Sequence, residues 1–477
     1  MILNQYGKTI ELEKSSRISA RVEHSKLIRP VKIKAKYDSA QTDRNNANHW
    51  ANTDALSPDA SNSPGVRKKI RERARYEYQN NCYCKGMIMS VANHIVGKVP
   101  TLQLRTGESA LDTKIERDFA KWAKEIRLGR KLRSMVKDKF VDGETIGTII
   151  NNPKLKNVTL DLKPVKCDRL TDNYFNSSLN PRSVDGIVFD DYDNPVEYHI
   201  MDNHPGSGKF TSSPTKTSKY SADYVVHWFL ENEAEQHRGI SEISPALPLF
   251  AYLRRYTLAV VSAAESLANL AYVIQADAPA GTDPDDVDAM DTVELERNVA
   301  TTLPFGWKLA QAKAEQPTGN YKDFKHEIIN EIARCILEPY NIAAGNSAGY
   351  NYASGRLDHQ DFYKAVEVIR SDLIDSILDK LAQAWLREYF ILNGIKVESY
   401  ITTFFFDGLP HVDPVKEAKS QDTHLRNNTT TLADEYAKQG QDWESKIDQR
   451  ILEKKKLLEL AKIENEIGKL KQDTSNE

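Results

Sequence analysis

Long stretches without a helix breaker frame a single short-strand region, and this pattern constrains the fold more than any other feature. The clearest stretch is 242–275, which passes Pro245 and Pro248 near its start and then runs on without interruption. Its second half carries Ala259, Ala263, Ala264, Ala268 and Ala271. Small side chains permit close helix–helix approach, which suits packing against copies of the same chain; Ala is also simply a strong helix former. The same region holds the longest apolar run, Leu258 to Ile274. Ser262, Glu265, Ser266 and Asn269 make that run too polar to span a bilayer.

Further helices are predicted over 66–96, 112–140, 321–337, 356–392 and 445–470. Pro64-Gly65 and Pro100 bracket the first. Its opening turns hold Arg67, Lys68, Lys69, Arg71, Arg73 and Arg75. Cations at a helix start oppose the macrodipole, so contacts with acidic groups or phosphate, or a solvated face, must explain them. The second carries the stripe Phe119, Trp122, Ile126, Leu132 and Val136. In the last, Leu460, Ile463, Ile467 and Leu470 recur at the spacing of a short coiled-coil seam, suited to packing in an oligomer or on its own body. Residues 141–230 read instead as short strands: 145–150, 158–162, a hairpin of 186–189 with 196–200 around an Asp/Asn/Pro turn, and 224–229. The fold class is α+β.

The chain has 477 residues and a formal net charge of −3. That near-neutral total argues against a globally basic nucleic-acid binder. It conceals an asymmetry: residues 1–80 hold 16 Lys and Arg against 9 Asp and Glu, leaving 49 against 59 in the remainder. A basic arm on an acidic body suits an arm that meets an anionic surface, or a solvated terminus. Residues 38–65 read as a linker or extended arm, in which Trp50 is expected to dock on its own body or on a neighbouring subunit. Cys82 and Cys84 are one residue apart, so they form no C-x-x-C pair, and free thiols in a reducing compartment are expected. Residues 1–14 contain no apolar run of the signal-peptide kind.

No motif recommends catalysis. Gly7-Lys8-Thr9 lacks the earlier glycine of a P-loop, and His326-Glu327 lacks the closing histidine of H-E-x-x-H. The six aspartates between 277 and 291 do not alternate as a calcium loop requires, and read as a solvated acidic loop. No metal, cofactor or catalytic residue is expected.

Several ordered motifs resemble the lambda-type portal proteins of tailed bacteriophages, from about residue 40 to about 460. They begin with Arg73-Ala74-Arg75, Asn80-Asn81 and Ile95-Val96-Gly97 in the first long helix. The hairpin Asp185 to Asp190, continuing through Pro195-Val196-Glu197-Tyr198-His199 to His204-Pro205, is similar to the family's. Most specific are Val226-His227-Trp228-Phe229 and the following Gln236-His237-Arg238-Gly239-Ile240-Ser241. Asn351-Tyr352-Ala353-Ser354-Gly355-Arg356, Val412-Asp413-Pro414-Val415-Lys416-Glu417 and Gly440-Gln441-Asp442 complete the set. The family-motif residues are thus His227, Arg238, Gly239, Ser241, Tyr352, Ser354, Asp413 and Pro414. Ala353, where the family usually has Ser, is a departure.

This resemblance implies a structural protein and no enzyme. It implies a portal fold of wing, stem, clip, tunnel loop and crown, in a cyclic, dodecameric ring at one capsid vertex. Double-stranded DNA would be packaged and ejected through the ring. The terminase large subunit, major capsid and scaffold proteins, and head-completion adaptors would be partners. The location would be the virion, with the host cytoplasm during assembly, and no membrane. By element order, 1–65 is the arm, 66–241 the wing, and 242–275 and 321–338 the stem helices. The clip is 276–320, the tunnel loop 339–355, the wing return 356–440 and the crown 441–477. Tyr340, Asn346, Tyr350, Asn351 and Arg356 are then candidate channel residues, although Tyr352 and Arg356 also suit a purely anchoring role. Arg67, Lys68, Lys69, Arg71, Arg73, Arg75 and Trp50 are candidate subunit contacts. Two other readings remain: a metal-dependent DNA-processing enzyme and a tail or baseplate adaptor.

Overall fold

The computed structural model describes residues 47–171, 182–207, 216–269, 273–276, 307–310, 320–408, 414–441 and 443–473. The chain divides into two units, Met1–Leu56 and Ser57–Glu477. In the first, residues 47–52 form a turn whose Trp50 carbonyl accepts from the Thr53 amide and hydroxyl, at 3.3 and 3.0 Å. Trp50 is 44% exposed, its ring edge-on to His49. The second unit begins inside the segment expected to be arm: Pro58–Ser61 is a short helix, α1, and Asn62 is buried.

The helix expected over 66–96 is two helices, α2 (Pro64–Asn80) and α3 (Cys82–Val96). Asn81 between them is extended, and its side chain accepts from the amides of Tyr83 and Cys84. An Asn in this position ends one helix and caps the next, which a search for Pro and Gly misses. After β1 (Thr101–Arg105), the helix expected over 112–140 is likewise split, into α4 (Ser109–Glu125) and α5 (Leu128–Asp142). Arg127 at the break is left-handed, with φ of 55°. The predicted stripe holds on both sides of it: Phe119, Trp122, Ile126, Leu132 and Val136 are all buried.

The strand region is antiparallel throughout. It contains β2 (Glu144–Asn151), β3 (Leu160–Val165), β4 (Ser183–Val184), β5 (Ile187–Phe189), β6 (Pro195–Met201), β7 (Thr217–Ser221) and β8 (Val225–Phe229). They form two sheets, ordered β3-β2-β8 and β4-β5-β6-β7. The predicted hairpin is β5–β6, and its turn is held by Asp190 Oδ1, which accepts from the amides of Tyr192 and Asn194. Ile146, Val165, Ile187, Tyr198, Ile200 and Val225 form a small core where the sheets meet.

The long helix expected over 242–275 is described as α6 (Leu247–Asn269), preceded by a 3-10 turn at Ser244–Ala246. Val273–Ala276 is not its last turn but a strand, β9, paired with β10 (Trp307–Ala310). The acidic segment 277–291 lies outside the described residues. Next come α7 (Tyr321–Cys335), the short α8 (Tyr340–Ala343), α9 (Tyr352–Leu373) and α10 (Asp379–Asn393). A π-helical turn at Ile374–Leu378 joins the last two. The strand β11 (Ile401–Phe405) returns to pair with β1, Thr101 opposite Phe405. The chain then closes with α11 (Pro414–Arg426), α12 (Leu432–Lys438) and α13 (Trp443–Asp473). The main core joins α3, α4, α5 and α10 around Phe119, Trp122 and Trp385. The Trp122 indole donates to the Leu160 carbonyl at 2.8 Å, tying this core to β3.

Candidate functional site

The motif residues converge on one buried carboxylate. Glu144 opens β2 immediately after Gly143, and its side chain is fully buried. Arg71 on α2 donates to Oε1 at 2.8 Å. The Arg238 Nε donates to Oε1 and Oε2 at 3.1 and 2.9 Å, and Arg238 Nη2 also reaches Oε1. The His227 ring meets Oε2 at 3.2 Å, and the Gly239 amide donates to Oε2 at 3.0 Å. Burial by itself would raise this carboxyl; Arg238, Arg71 and the His227 bond outweigh it and hold Glu144 well below the usual carboxylate range. A buried charge is tolerated only when paired this completely.

The backbone explains the glycines. A Cβ on Gly239 would lie 2.1 Å from the Gly143 carbonyl oxygen, and one on Gly143 would lie 2.1 Å from the Ile240 carbonyl carbon. Two backbones therefore touch where a side chain would part them. Ser241 Oγ donates to the Phe140 carbonyl at 3.3 Å, and Gln236 and Asn62 both donate to the Arg238 carbonyl at 2.8 Å. The segment 236–241 is thus clamped from three elements.

Around Glu144 the arginines of α2 form a ladder at helical spacing. Arg67 pairs with Asp185, Arg71 with Glu144, and Arg75 with Asp142 and Asp168 at 2.6 Å each. Arg67, Arg71 and Arg75 thus face carboxylates of their own chain. Lys68, Lys69 and Arg73, on the other side of α2, are exposed. The carboxylates that complete the ladder were not among the sequence candidates. The signal for them was the i, i+4 repetition of cations in a helix start, which demands buried anions from elsewhere.

The segment 339–355 is only partly a loop. Tyr340–Ala343 is helical and Tyr352 begins α9, leaving 344–351 as the connection. Tyr340 is half-buried, with its ring 3.8 Å from that of His326. Asn346 is exposed at the tip, where Oδ1 accepts from the Ala348 amide at 2.9 Å. Tyr350 is half-buried. Asn351 caps α9 in a reciprocal box with Ser354, at 2.9 Å to its amide. Arg356 is exposed but belongs to α9, not to the loop. So the structure gathers the tip residues at one end of α9 and assigns Asn351 and Ser354 an anchoring role. Tyr352 opens α9, but its side chain is outside the description; Asp413 is not described, and Pro414 opens α11.

The buried Glu338 also went unmarked in the sequence. Glu338 follows Leu337, which takes a left-handed φ of 58°, and precedes Pro339. It is 4% exposed, and neither carboxylate oxygen has a hydrogen-bond partner at bonding distance. Burial pushes it up to about 8, with only the Ser90 hydroxyl of α3 opposing.

Among the described residues no group of three or more His, Cys, Asp or Glu could hold a metal ion, and no helix is long and apolar enough to cross a membrane. Comparison with known proteins gives one family: the model described as "Phage portal protein, lambda family" matches residues 43–370. A protein of Halomonas phage phiHAP-1 named "Probable portal protein" is 24% identical over 406 residues, covering 78% of this chain and 77% of its own. Among solved structures, the neck of the native gene transfer agent particle computed with C12 symmetry gives a TM-score of 0.46 at 12% identity, over 80% of this chain and 94% of that one. The neck of the empty particle, computed with C6 symmetry, gives 0.48 at 13% identity with the same coverage.

Proposed function

Because this chain belongs to the lambda family of phage portal proteins, we propose that it forms a ring at one vertex of the capsid and that double-stranded DNA passes through its centre. The observation that carries this is the family match over residues 43–370, more than half of the chain. The family is a structural one. The finer reading adds terminase docking during packaging, head-completion proteins afterwards, and a virion location.

The element order supports assigning the regions. α6 and α7 bracket 270–319 as stem helices would bracket a clip. The pairing of β9 with β10 draws the two ends of that segment together. The connection 344–351 follows the second of these helices, where a tunnel loop belongs, with Asn346 exposed at its tip. Near-neutrality suits a conduit: each phosphate neutralised adds affinity through counterion release, and a tightly held DNA would not slide. Cyclic rings are closed by heterologous interfaces, one face of a subunit meeting a different face of the next. The basic residues before Ser57 and the exposed Lys68, Lys69 and Arg73 are candidates for such a contact; removal of residues 1–56 is expected to weaken the ring.

Electron microscopy and native mass of the purified full chain test the reading. Rings with a central hole, and no magnesium-dependent cleavage of DNA, are expected. A monomer that nicks DNA would favour a nuclease instead, and would end the portal assignment for this chain.

A further inference from the structure

α7 ends in a Schellman motif whose two special positions carry unsuitable residues. The Glu338 amide donates to the Ala333 carbonyl at 3.1 Å, and the Leu337 amide to that of Arg334 at 3.3 Å. Such a cap places one residue in the left-handed region, usually glycine, and turns the next inward, usually an apolar side chain. Here the left-handed residue is Leu337, with φ of 58°, and its side chain is 48% exposed, so burial does not offset the strain. The inward residue is Glu338, whose carboxylate oxygens have no bonded partner. Two independent costs fall on adjacent residues. Local strain of this kind persists where a segment has a second position to take.

The chain beyond them is lightly held. Pro339 keeps Glu338 out of the helical region, so α7 cannot simply continue. α8 is a single turn, fixed by the buried Ala343, by the Tyr340 ring against His326, and by Asn341, whose Nδ2 donates to His359 Nε2 at 2.9 Å. Past it, Gly345 and Gly349 take φ of 61° and 88°, with open space where a side chain would stand. The next firm point is the Asn351–Ser354 cap of α9. Once Leu337 leaves the left-handed region, Glu338 can turn to water, and 338–350 follows it between two fixed ends.

Only burial and the Ser90 hydroxyl of α3 act on the Glu338 carboxyl. Tyr83 and His94 on α3, His326, Glu331 and Arg334 on α7, and Tyr340 on α8 do not shift it. The docked position therefore admits the neutral acid and disfavours the carboxylate, whereas water favours the carboxylate. His359 acts in the opposite sense. A protonated ring cannot accept from Asn341, so it loosens α8 as pH falls.

We propose that Leu337 and Glu338 form a proton-controlled hinge: protonated Glu338 holds 338–350 docked on α3 and α7, and its ionisation releases that segment. The sign with pH follows from the two positions. Docked, the carboxyl is pushed up to about 8; in water it returns to its ordinary 4.5. Release is therefore weakest near pH 4.5, grows as pH rises, and levels off above 8. The hinge belongs to a single chain and does not depend on the ring.

Hydrogen exchange of the full chain measures the release, read on peptides spanning 338–346 and corrected for the intrinsic exchange rate at each pH. Protection there should fall by about fiftyfold between pH 6 and 8, while peptides from α5 and β2 keep theirs. Glu338→Gln should abolish the fall. Leu337→Gly should raise protection by about fivefold at every pH, with the fall retained. An equal fall in Glu338→Gln would overturn the proposal, because another group would then be titrating. Constant protection in the unmodified chain would also overturn it, and that measurement needs no variant to fold. A loss shared by α5 and β2 would do the same, since it would mean unfolding of the whole body rather than a hinge.

Discussion

Glu144 and Glu338 are both buried, and they are buried in opposite ways. Glu144 enters the core with two guanidiniums, an imidazole and a backbone amide around it, and stays ionised. Glu338 enters between α7 and α8 with no bonded partner for either oxygen, and is pushed up to about 8. Burial acts on both in the same direction; counter-charges decide the outcome. The first site is assembled from α2, β2, β8 and the 236–241 turn, so it locks distant segments together. The second lies at the junction leading to 344–351, where only a short helix holds the chain.

The largest expected effect breaks the first site. Glu144→Gln keeps the shape but leaves Arg71 and Arg238 buried without their anion, at a cost of roughly 3–5 kcal/mol. Urea unfolding followed by circular dichroism measures it; a midpoint equal to wild type would mean the cluster contributes nothing net. The sign with pH follows from the lowered carboxyl: its stabilisation is present above the unfolded value of about 4.5 and is lost as pH falls through the folded one.

The second site runs the other way. A carboxyl raised to about 8 keeps its proton in the folded state, so stability falls as pH rises from about 4.5 towards 8. Glu338→Gln should match wild type near pH 4.5 and exceed it by about 2–3 kcal/mol at pH 7. Parallel stability curves for the two proteins between pH 5 and 8 would refute the neutral assignment.

Gly239→Ala sharpens the account of the first site by leaving its charges alone. The new methyl group would meet the Gly143 carbonyl, and the backbone must part to admit it. A loss of about 1–3 kcal/mol is expected, with the pH profile of wild type retained. A changed profile would show that the glycine acts through Glu144 rather than through contact.

How much of this was legible depended on whether a partner lay nearby in sequence. The amphipathic stripe through Phe119, Trp122 and Leu132 and the Asp190 turn are local patterns, and they stand in the structure as read. The breaks at Asn81 and Arg127 were not legible as such. Asn81 acts as a cap because its extended backbone lets its side chain accept from the first amides of α3, and Arg127 takes a left-handed φ that no local signal requires. The motif residues His227, Arg238 and Gly239 were visible, but their common target was not. Glu144 lies 94 residues from Arg238, and nothing around it distinguishes it from a surface glutamate. Glu338 was invisible for the same reason, since its burial depends on α8 packing against both α3 and α7.

The smallest effect concerns the connection beside the second site. Asn351 and Ser354 form a reciprocal cap at the start of α9, and both are polar residues at the solvent side of the connection. If Asn351 serves chiefly as an anchor, Asn351→Ala should cost about 1 kcal/mol and Asn351→Ser much less, because serine also caps. If it serves chiefly as a channel contact, the two replacements should be alike in stability and should differ from wild type in DNA packaging instead. Thermal unfolding of the two variants, read beside packaging in a phage carrying each, separates these roles. Asn346 provides the control. Its side chain accepts only from the Ala348 amide within its own turn, so Asn346→Ala should shift stability by less than about 0.5 kcal/mol. A packaging defect there, with stability unchanged, would place the tip rather than the cap at the DNA.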